Sequence, residues 1–259
     1  MSKQKIESAE QQIDLFKTWL VETPIAHRGL HGKNVPENSL AAFSKAIEKG
    51  YAIEFDVHLL ADGTIAVFHD SSLARMTGND GYLKYLNEED LKALHLAGTK
   101  ETIPTFDEVL ELIDGKVPIL IEIKNQYKVG KLEQAIINRL KTYKGKFAVQ
   151  SFNPYSLAYF KKHSPNIIRG QLSGTFKGEG FEDLKMSKIV RYVLKHMMLN
   201  KSVSEPHFIA YQNTALPNRI VKKYKNLPLL AWVVESKKEY LRVVKYCDNI
   251  IFQGFEPEI

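Results

Sequence analysis

IEFDVHLLADGTIAVFHD, residues 53–70, lies within two apolar runs of strand character, Ala52 to Leu60 and Thr64 to Phe68, joined by the turn dipeptide Asp62-Gly63. Polar groups interrupt both runs. Glu54 and Asp56 are two positions apart and share one face of a strand, while Phe55 and Val57 share the other. His69-Asp70 closes the second run. Two carboxylates on one buried face repel each other and pay a desolvation cost, which a hard divalent cation is the simplest way to offset. Taken by itself, the pattern also fits a half-buried strand with a solvated face.

Working outward, the flanking segments alternate between strand and helix. Pro24-Ile25-Ala26 precedes His27-Arg28-Gly29, and a polar loop reaches Pro36-Glu37-Asn38-Ser39. Ser39 or Asn38 can cap a helix from Leu40 to Lys49, stopped by Gly50, before Ile53. Downstream the spacing predicts helices over 106–113, 131–143, 154–160, 217–224 and 237–246, and strands over 118–123, 147–150, 167–172, 207–211, 229–234 and 250–253. This βαβ rhythm over 259 residues, with no Pro, Gly or Ser-rich linker, predicts one domain spanning 1–259, folded as a (β/α)8 barrel. Nine strand-like segments are present, so one lies outside the closed sheet. The link from Leu60 to Thr64 is too short for a crossover helix.

Three segments stand apart. Ile6 to Leu20 has helical spacing and is expected to cap one end of the domain. Ser71 to Lys100 reads as an irregular, weakly helical insertion with a turn at Asn79-Asp80-Gly81 and a short helix from Glu88, capped by Asn87. After a glycine-rich opening at 174–180, a lysine-bearing helix is predicted from Phe181 to about Met198. A barrel helix with a solvated basic face is the preferred reading of it, over a lid or peripheral membrane-contact helix.

Composition narrows the possible functions. Hydrophobic residues at 44% and charged residues at 25% are those of a globular protein. The net charge of +6 is spread through the chain without an arginine-rich arm, which argues against nucleic acid and mildly for anionic ligands. A lone cysteine, Cys247, excludes an internal disulfide and is expected to be a packed, unreactive thiol. The polar first residues and the lack of a 20-residue apolar stretch predict a soluble cytoplasmic protein with no transmembrane segment.

His27, Arg28, Glu54, Asp56, His69, Glu122, Lys124 and Gln150 all fall at the carboxyl ends of predicted strands, which in a barrel converge on one face. Glu122 can join Glu54 and Asp56 around Ca²⁺ or Mg²⁺. Two histidines, an arginine and a lysine beside such a site fit a phosphate ester better than a neutral sugar. His31 is close enough to His27 to enter the site from its loop; the other histidines have no partner at a telling spacing. No H-E-x-x-H, Walker, dinucleotide or G-x-S-x-G motif occurs.

His27-Arg28-Gly29, Pro36-Glu37-Asn38-Ser39, Glu54-Phe55-Asp56-Val57, Asp62-Gly63 and His69-Asp70, extended by Glu122-Ile123-Lys124 and Gln150-Ser151-Phe152, resemble the signature of the glycerophosphodiester phosphodiesterase family. The resemblance implies a barrel related to phosphoinositide-specific phospholipases C, and hydrolysis of glycerophosphodiesters to glycerol 3-phosphate and an alcohol. It implies that Glu54, Asp56 and Glu122 bind a divalent cation, His27 and His69 perform acid/base chemistry, and Arg28 and Lys124 hold phosphate. Glu37, Asn38, Gln150 and Trp232 are supporting candidates. Lysophospholipase D-like hydrolysis and a catalytically silent binding barrel are the alternatives. Where family members commonly carry Trp-Thr-Val-Asn and Thr-Asp-x-Pro segments, this chain has Trp232-Val233-Val234-Glu235 and Gln253-Gly254-Phe255-Glu256-Pro257.

Overall fold

Eight parallel strands close on themselves, and the segment left over is the second run of the opening stretch. In the computed structural model, which describes residues 14–125, 128–176 and 186–258, β1 is Ile25–Ala26, β2 Ala52–Leu59, β3 Ile65–Val67, β4 Ile119–Ile123, β5 Phe147–Ser151, β6 Arg169–Ser173, β7 Phe208–Gln212, β8 Leu229–Val234 and β9 Asn249–Phe252. Parallel pairing runs β1-β2-β4-β5-β6-β7-β8-β9 and returns to β1. The Asp62-Gly63 turn folds β3 back antiparallel on β2, with Val57 opposite Val67, so β3 lies outside the barrel.

The helices follow the strands: α1 Trp19–Glu22, α2 Leu40–Glu48, α3 Ala74–Thr77, α4 Glu88–Lys92, α5 Phe106–Ile113, α6 Lys131–Leu140, α7 Pro154–His163, α8 Lys188–Lys195 and α9 Lys237–Val243. Several begin at the caps the sequence offers. Ser39 Oγ accepts from Ala42 N, and Thr105 and Glu108 form a reciprocal capping box at the head of α5. Side-chain alternation then sorts β2 into two environments. Ile53, Phe55 and Val57 are buried in the layer shared with the helices, where the Phe55 ring lies 5.6 Å from Phe43 on α2 and 6.0 Å from Phe106 on α5. Truncating Phe55 to alanine is expected to cost ~3–5 kcal/mol.

The opposite face points into the barrel. Its floor is apolar: Ala52, Leu120, Ala148, Leu172, Phe208, Leu230 and Ile251 pack with Trp19 and Leu20, and Asn249 Nδ2 donates to the carbonyls of Leu20 and Thr23. α1 thus plugs the amino-terminal end as expected, although the described part of the predicted 6–20 helix is a 3-10 turn, Leu15–Lys17, followed by α1; residues 6–13 lie outside the described residues. A Cβ on Gly170 would fall 2.1 Å from the Phe208 ring, so glycine there lets the phenylalanine fill the floor. One step up, Glu54, Asp56, Glu122, Lys124 and Gln150 replace the apolar residues at the carboxyl end.

The insertion after β3 has a core of its own. Leu73, Met76, Leu83, Leu91 and Leu96 are buried with Leu60, Ala66 and Phe68, and Asn87 closes a capping box on α4. It is more than irregular surface. Two other expectations are corrected. Between β7 and β8 the predicted helix over 217–224 is only a 3-10 turn, Val221–Tyr224; the Asn218 side chain accepts from the Ile220 and Val221 N–H groups and holds the preceding residues in a local turn. α8 covers 188–195 of the predicted 181–198 helix, with 181–185 outside the described residues, and has no buried residue at all. Its side chains are half-buried or exposed, so α8 is only partly seated against the barrel. Among the described residues, no helix is long and apolar enough to cross a membrane.

Candidate active site

The parallel register of β2, β4 and β5 places Asp56 beside Glu122 and Glu122 beside Gln150, all pointing inward. Glu54, Asp56 and Glu122 each offer a carboxylate oxygen within 4.8 Å of the others, and Glu54 and Asp56 are essentially inaccessible to solvent. Two cations compensate the charge. Lys124 Nζ lies 3.0 Å from Asp56 Oδ1 and 2.5 Å from Glu122 Oε1, and Arg28 Nε lies 3.2 Å from Asp56 Oδ2. Asn38 Nδ2 donates to Asp56 Oδ2 at 2.9 Å, and the backbone N–H of Arg28 donates to Glu54 Oε2 at 3.1 Å. Arg28 and Asn38 both adopt positive φ, 53° in each case, a cost that local structure sustains around functional sites.

Electrostatics divide the two β2 carboxylates. Burial raises the Glu54 carboxyl well above its ordinary range, and Asp56 and Glu122 push it further. Burial would raise Asp56 too, but Lys124, His69 and Arg28 outweigh it and hold Asp56 well below the ordinary range. Despite its burial, Lys124 is raised by Asp56 and Glu122. The donor set fits a hard cation. Gln150 Oε1 is a buried oxygen without a hydrogen-bond partner, Asp56 Oδ1 and Glu122 Oε1 face the Lys124 ammonium, and Gln150 Nε2 reaches Glu54 Oε1 only at 3.5 Å.

The two predicted histidines flank this cluster. His27 Nε2 is 4.0 Å from Glu54 Oε2, while its Nδ1 is 2.6 Å from Gln253 Oε1. Gln253 Nε2 donates to Glu235 Oε1 at 2.7 Å, which orients the amide so that its oxygen accepts from His27 Nδ1–H. His69 Nδ1 is 2.6 Å from Asp70 Oδ1, and His58 Nε2 supports the His69 carbonyl at 3.0 Å. Both rings therefore hold their proton on Nδ1 and leave Nε2 for other work. Burial lowers both, with Arg28 adding to the effect at His27 and Lys124 at His69.

Of the supporting candidates, Glu37 accepts from Arg28 Nη1 at 2.7 Å and Asn38 and Gln150 sit at the carboxylates, whereas Trp232 stands on the far wall, edge-on to Phe152 at 5.5 Å. His31 does enter from its loop, reaching the Gln253 side chain, and burial lowers it. Sequence reasoning missed Arg75. From α3 it bonds Asp70 through Nε at 2.6 Å and Glu37 through Nη2 at 2.6 Å, tying the His69 side of the site to the Arg28 side. Its only sequence signal is an arginine five residues after Asp70 in the insertion. Cys247 is a packed thiol as expected, pushed up to about 12 by burial, with Sγ 3.5 Å from the Val243 carbonyl.

The profile of the Glycerophosphoryl diester phosphodiesterase family matches residues 27–252. A glycerophosphodiester phosphodiesterase from Caldanaerobacter subterraneus subsp. tengcongensis is 34% identical over 234 residues, which cover 85% of this chain and 89% of that one. Among solved structures, a phosphodiesterase from Oleispira antarctica in complex with the product sn-glycerol-3-phosphate superposes with a TM-score of 0.73 at 23% identity, covering 90% of this chain and 93% of that one. A glycerophosphodiester phosphodiesterase from Thermotoga maritima gives 0.66 at 25% identity, over 89% and 94%. A profile match from His27 on β1's end to Phe252 on β9, together with a 34% identical relative aligned over most of both chains, establishes that this chain belongs to the glycerophosphoryl diester phosphodiesterase family.

Proposed function

We propose that this protein hydrolyses glycerophosphodiesters to glycerol 3-phosphate and an alcohol, using a divalent cation and a pair of histidines. The observation that carries the reading is the convergence of three buried carboxylates and two imidazoles, tautomer-fixed by Gln253 and Asp70, at one end of a barrel. Glu54, Asp56 and Glu122 would hold the cation, and the oxygen ligands suit either Mg²⁺ or Ca²⁺. When bound, such an ion polarises a phosphoryl oxygen and lowers the pKa of a coordinated hydroxyl.

The chain's own groups divide the remaining work. Arg28 presents a guanidinium fork and Lys124 a point charge to the anionic phosphate. His27, kept neutral by burial with its Nδ1 proton given to Gln253, presents the Nε2 lone pair beside Glu54 and is suited to take a proton from the attacking oxygen. His69, with Asp70 accepting from Nδ1, stabilises a proton on Nε2 for the departing alkoxide. The two exchange roles if the glycerol 2-hydroxyl attacks first and water then opens a cyclic phosphate. Asn38 and the Arg28 N–H keep the carboxylates oriented.

The test is a panel of glycerophosphodiesters and lysophospholipids with product identification, with and without added Mg²⁺ or Ca²⁺. Release of glycerol 3-phosphate that depends on the cation supports the reading. Absence of phosphodiester cleavage across the panel excludes it.

A further inference from the structure

α8 does not lie alongside the barrel like its neighbours. Its last-turn carbonyls are tied to strand ends: Ser173 Oγ, at the end of β6, donates to the Leu194 carbonyl at 2.9 Å, and Tyr211 of β7 donates to that of Lys195 at 3.4 Å. A helix anchored by its final turn to the carboxyl ends of β6 and β7 stands on the catalytic rim instead of packing down the barrel wall. That position explains why none of its residues is buried.

The exposed surface is apolar where a solvated helix would be polar. Ile189 is 76% exposed, Tyr192 57% and, just past the helix, Met198 58%. At 100° per residue Ile189, Val190, Val193 and Leu194 form one arc, with Val193 and Leu194 half-buried, and Arg191, Lys195 and Lys188 border it on the remaining side, where Tyr192 falls between Lys188 and Ile189. Between Gly174 and Lys201 the sequence holds six lysines and arginines against three acidic residues, in a chain of net charge +6. An apolar arc flanked by cations is the chemistry of a helix lying in the plane of a lipid interface, with anionic headgroups meeting the basic arc.

We propose that α8 docks this protein on bilayers containing anionic phospholipid, turning the catalytic mouth toward the membrane surface. The attachment is peripheral: the apolar arc enters the headgroup boundary and the bordering lysines Lys188 and Lys195 pair with lipid phosphates. It goes beyond the hydrolytic reading and does not depend on it, because binding is measured without turnover.

The experiment is co-sedimentation of the full chain with vesicles of phosphatidylcholine alone or of equimolar phosphatidylcholine and phosphatidylglycerol. It is run at about 0.05 M and about 0.5 M salt, where screening lengths fall on either side of ~10 Å. Two double variants accompany it, Lys188→Glu with Lys195→Glu and Ile189→Ser with Tyr192→Ser. Binding is expected only to the anionic vesicles, weaker at high salt, and reduced at least about tenfold in each variant. Hydrolysis of a dissolved glycerophosphodiester and the thermal midpoint should stay at wild-type values in both. The proposal is overturned if the wild type fails to bind anionic vesicles, if it binds neutral and anionic vesicles alike, or if both variants bind as the wild type does. It is equally overturned if the wild type sediments as a dimer that the Ile189→Ser/Tyr192→Ser variant converts to a monomer, since a second copy would then cover the face.

Discussion

Gln253 and Glu235, the residues that stand where this chain leaves the family's usual carboxyl-terminal pattern, are hydrogen-bonded to each other at 2.7 Å, and through Gln253 Oε1 they hold His27 Nδ1 at 2.6 Å. The two departures form one unit. Gln253→Ala removes the acceptor that fixes the His27 tautomer, and turnover of glycerophosphocholine should fall on the order of 10²-fold, the cost of misplacing a reacting group by about an ångström. Glu235→Ala leaves the amide oxygen available but free to rotate, so its loss should be smaller. Steady-state kcat for both variants checks the order.

Arg75 makes a second prediction. It donates to Asp70, the partner of His69, and to Glu37, the partner of Arg28, so Arg75→Ala should lower turnover although the residue reaches neither the carboxylate cluster nor either imidazole directly. Arg75→Lys should not restore it, since one ammonium cannot serve two carboxylates with a planar fork. Glu37 titrates at about 2 because Arg75 and Arg28 outweigh its burial. Its contribution to stability is present above its unfolded pKa near 4.5 and is lost as pH falls toward 2. In Arg75→Ala the folded pKa rises, so that loss should be smaller and should be complete at a higher pH, read from denaturant midpoints across an acid series.

Much of this site was visible in the sequence because strand periodicity is exact. Once 52–60 is a strand, Ala52, Glu54 and Asp56 must share a face, whereas which of the nine strand-like segments is surplus emerges only from the antiparallel pairing of β3 on β2. The histidine partners are another matter. His27 and Gln253 are 226 positions apart, and their contact exists only because β9 closes the ring on β1. Arg75 arrives from an insertion whose fold depends on its own small apolar core. The amphipathic pattern of α8 was legible, but which surface it meets depends on where Ser173 and Tyr211 anchor it.

Cation binding can be separated from turnover. Glu122 contributes one of the three clustered oxygens, so Glu122→Gln should weaken Mg²⁺ or Ca²⁺ binding, measured by calorimetry, at least about tenfold or ~1.4 kcal/mol. Trp232→Phe, on the far wall, should leave that affinity unchanged.

A final stability prediction concerns His207, away from the site. The Arg169 backbone N–H donates to its Nδ1 at 3.1 Å, which requires that nitrogen to be unprotonated, and burial with the Arg169 charge holds the ring down at about 4. A base with a depressed folded pKa supports the fold above its unfolded value near 6.5, and that support is lost as pH falls toward 4. Urea midpoints should decline over that interval, and less steeply in His207→Gln.

The most direct measurement is the rate of glycerol 3-phosphate release from glycerophosphocholine by the wild type, His27→Ala and His69→Ala, each with saturating Mg²⁺ or Ca²⁺ and after chelation. The account predicts cation-dependent product from the wild type and a fall of about 10²–10⁴-fold in each histidine variant. Wild-type rates in both variants, or full activity after chelation, would contradict it.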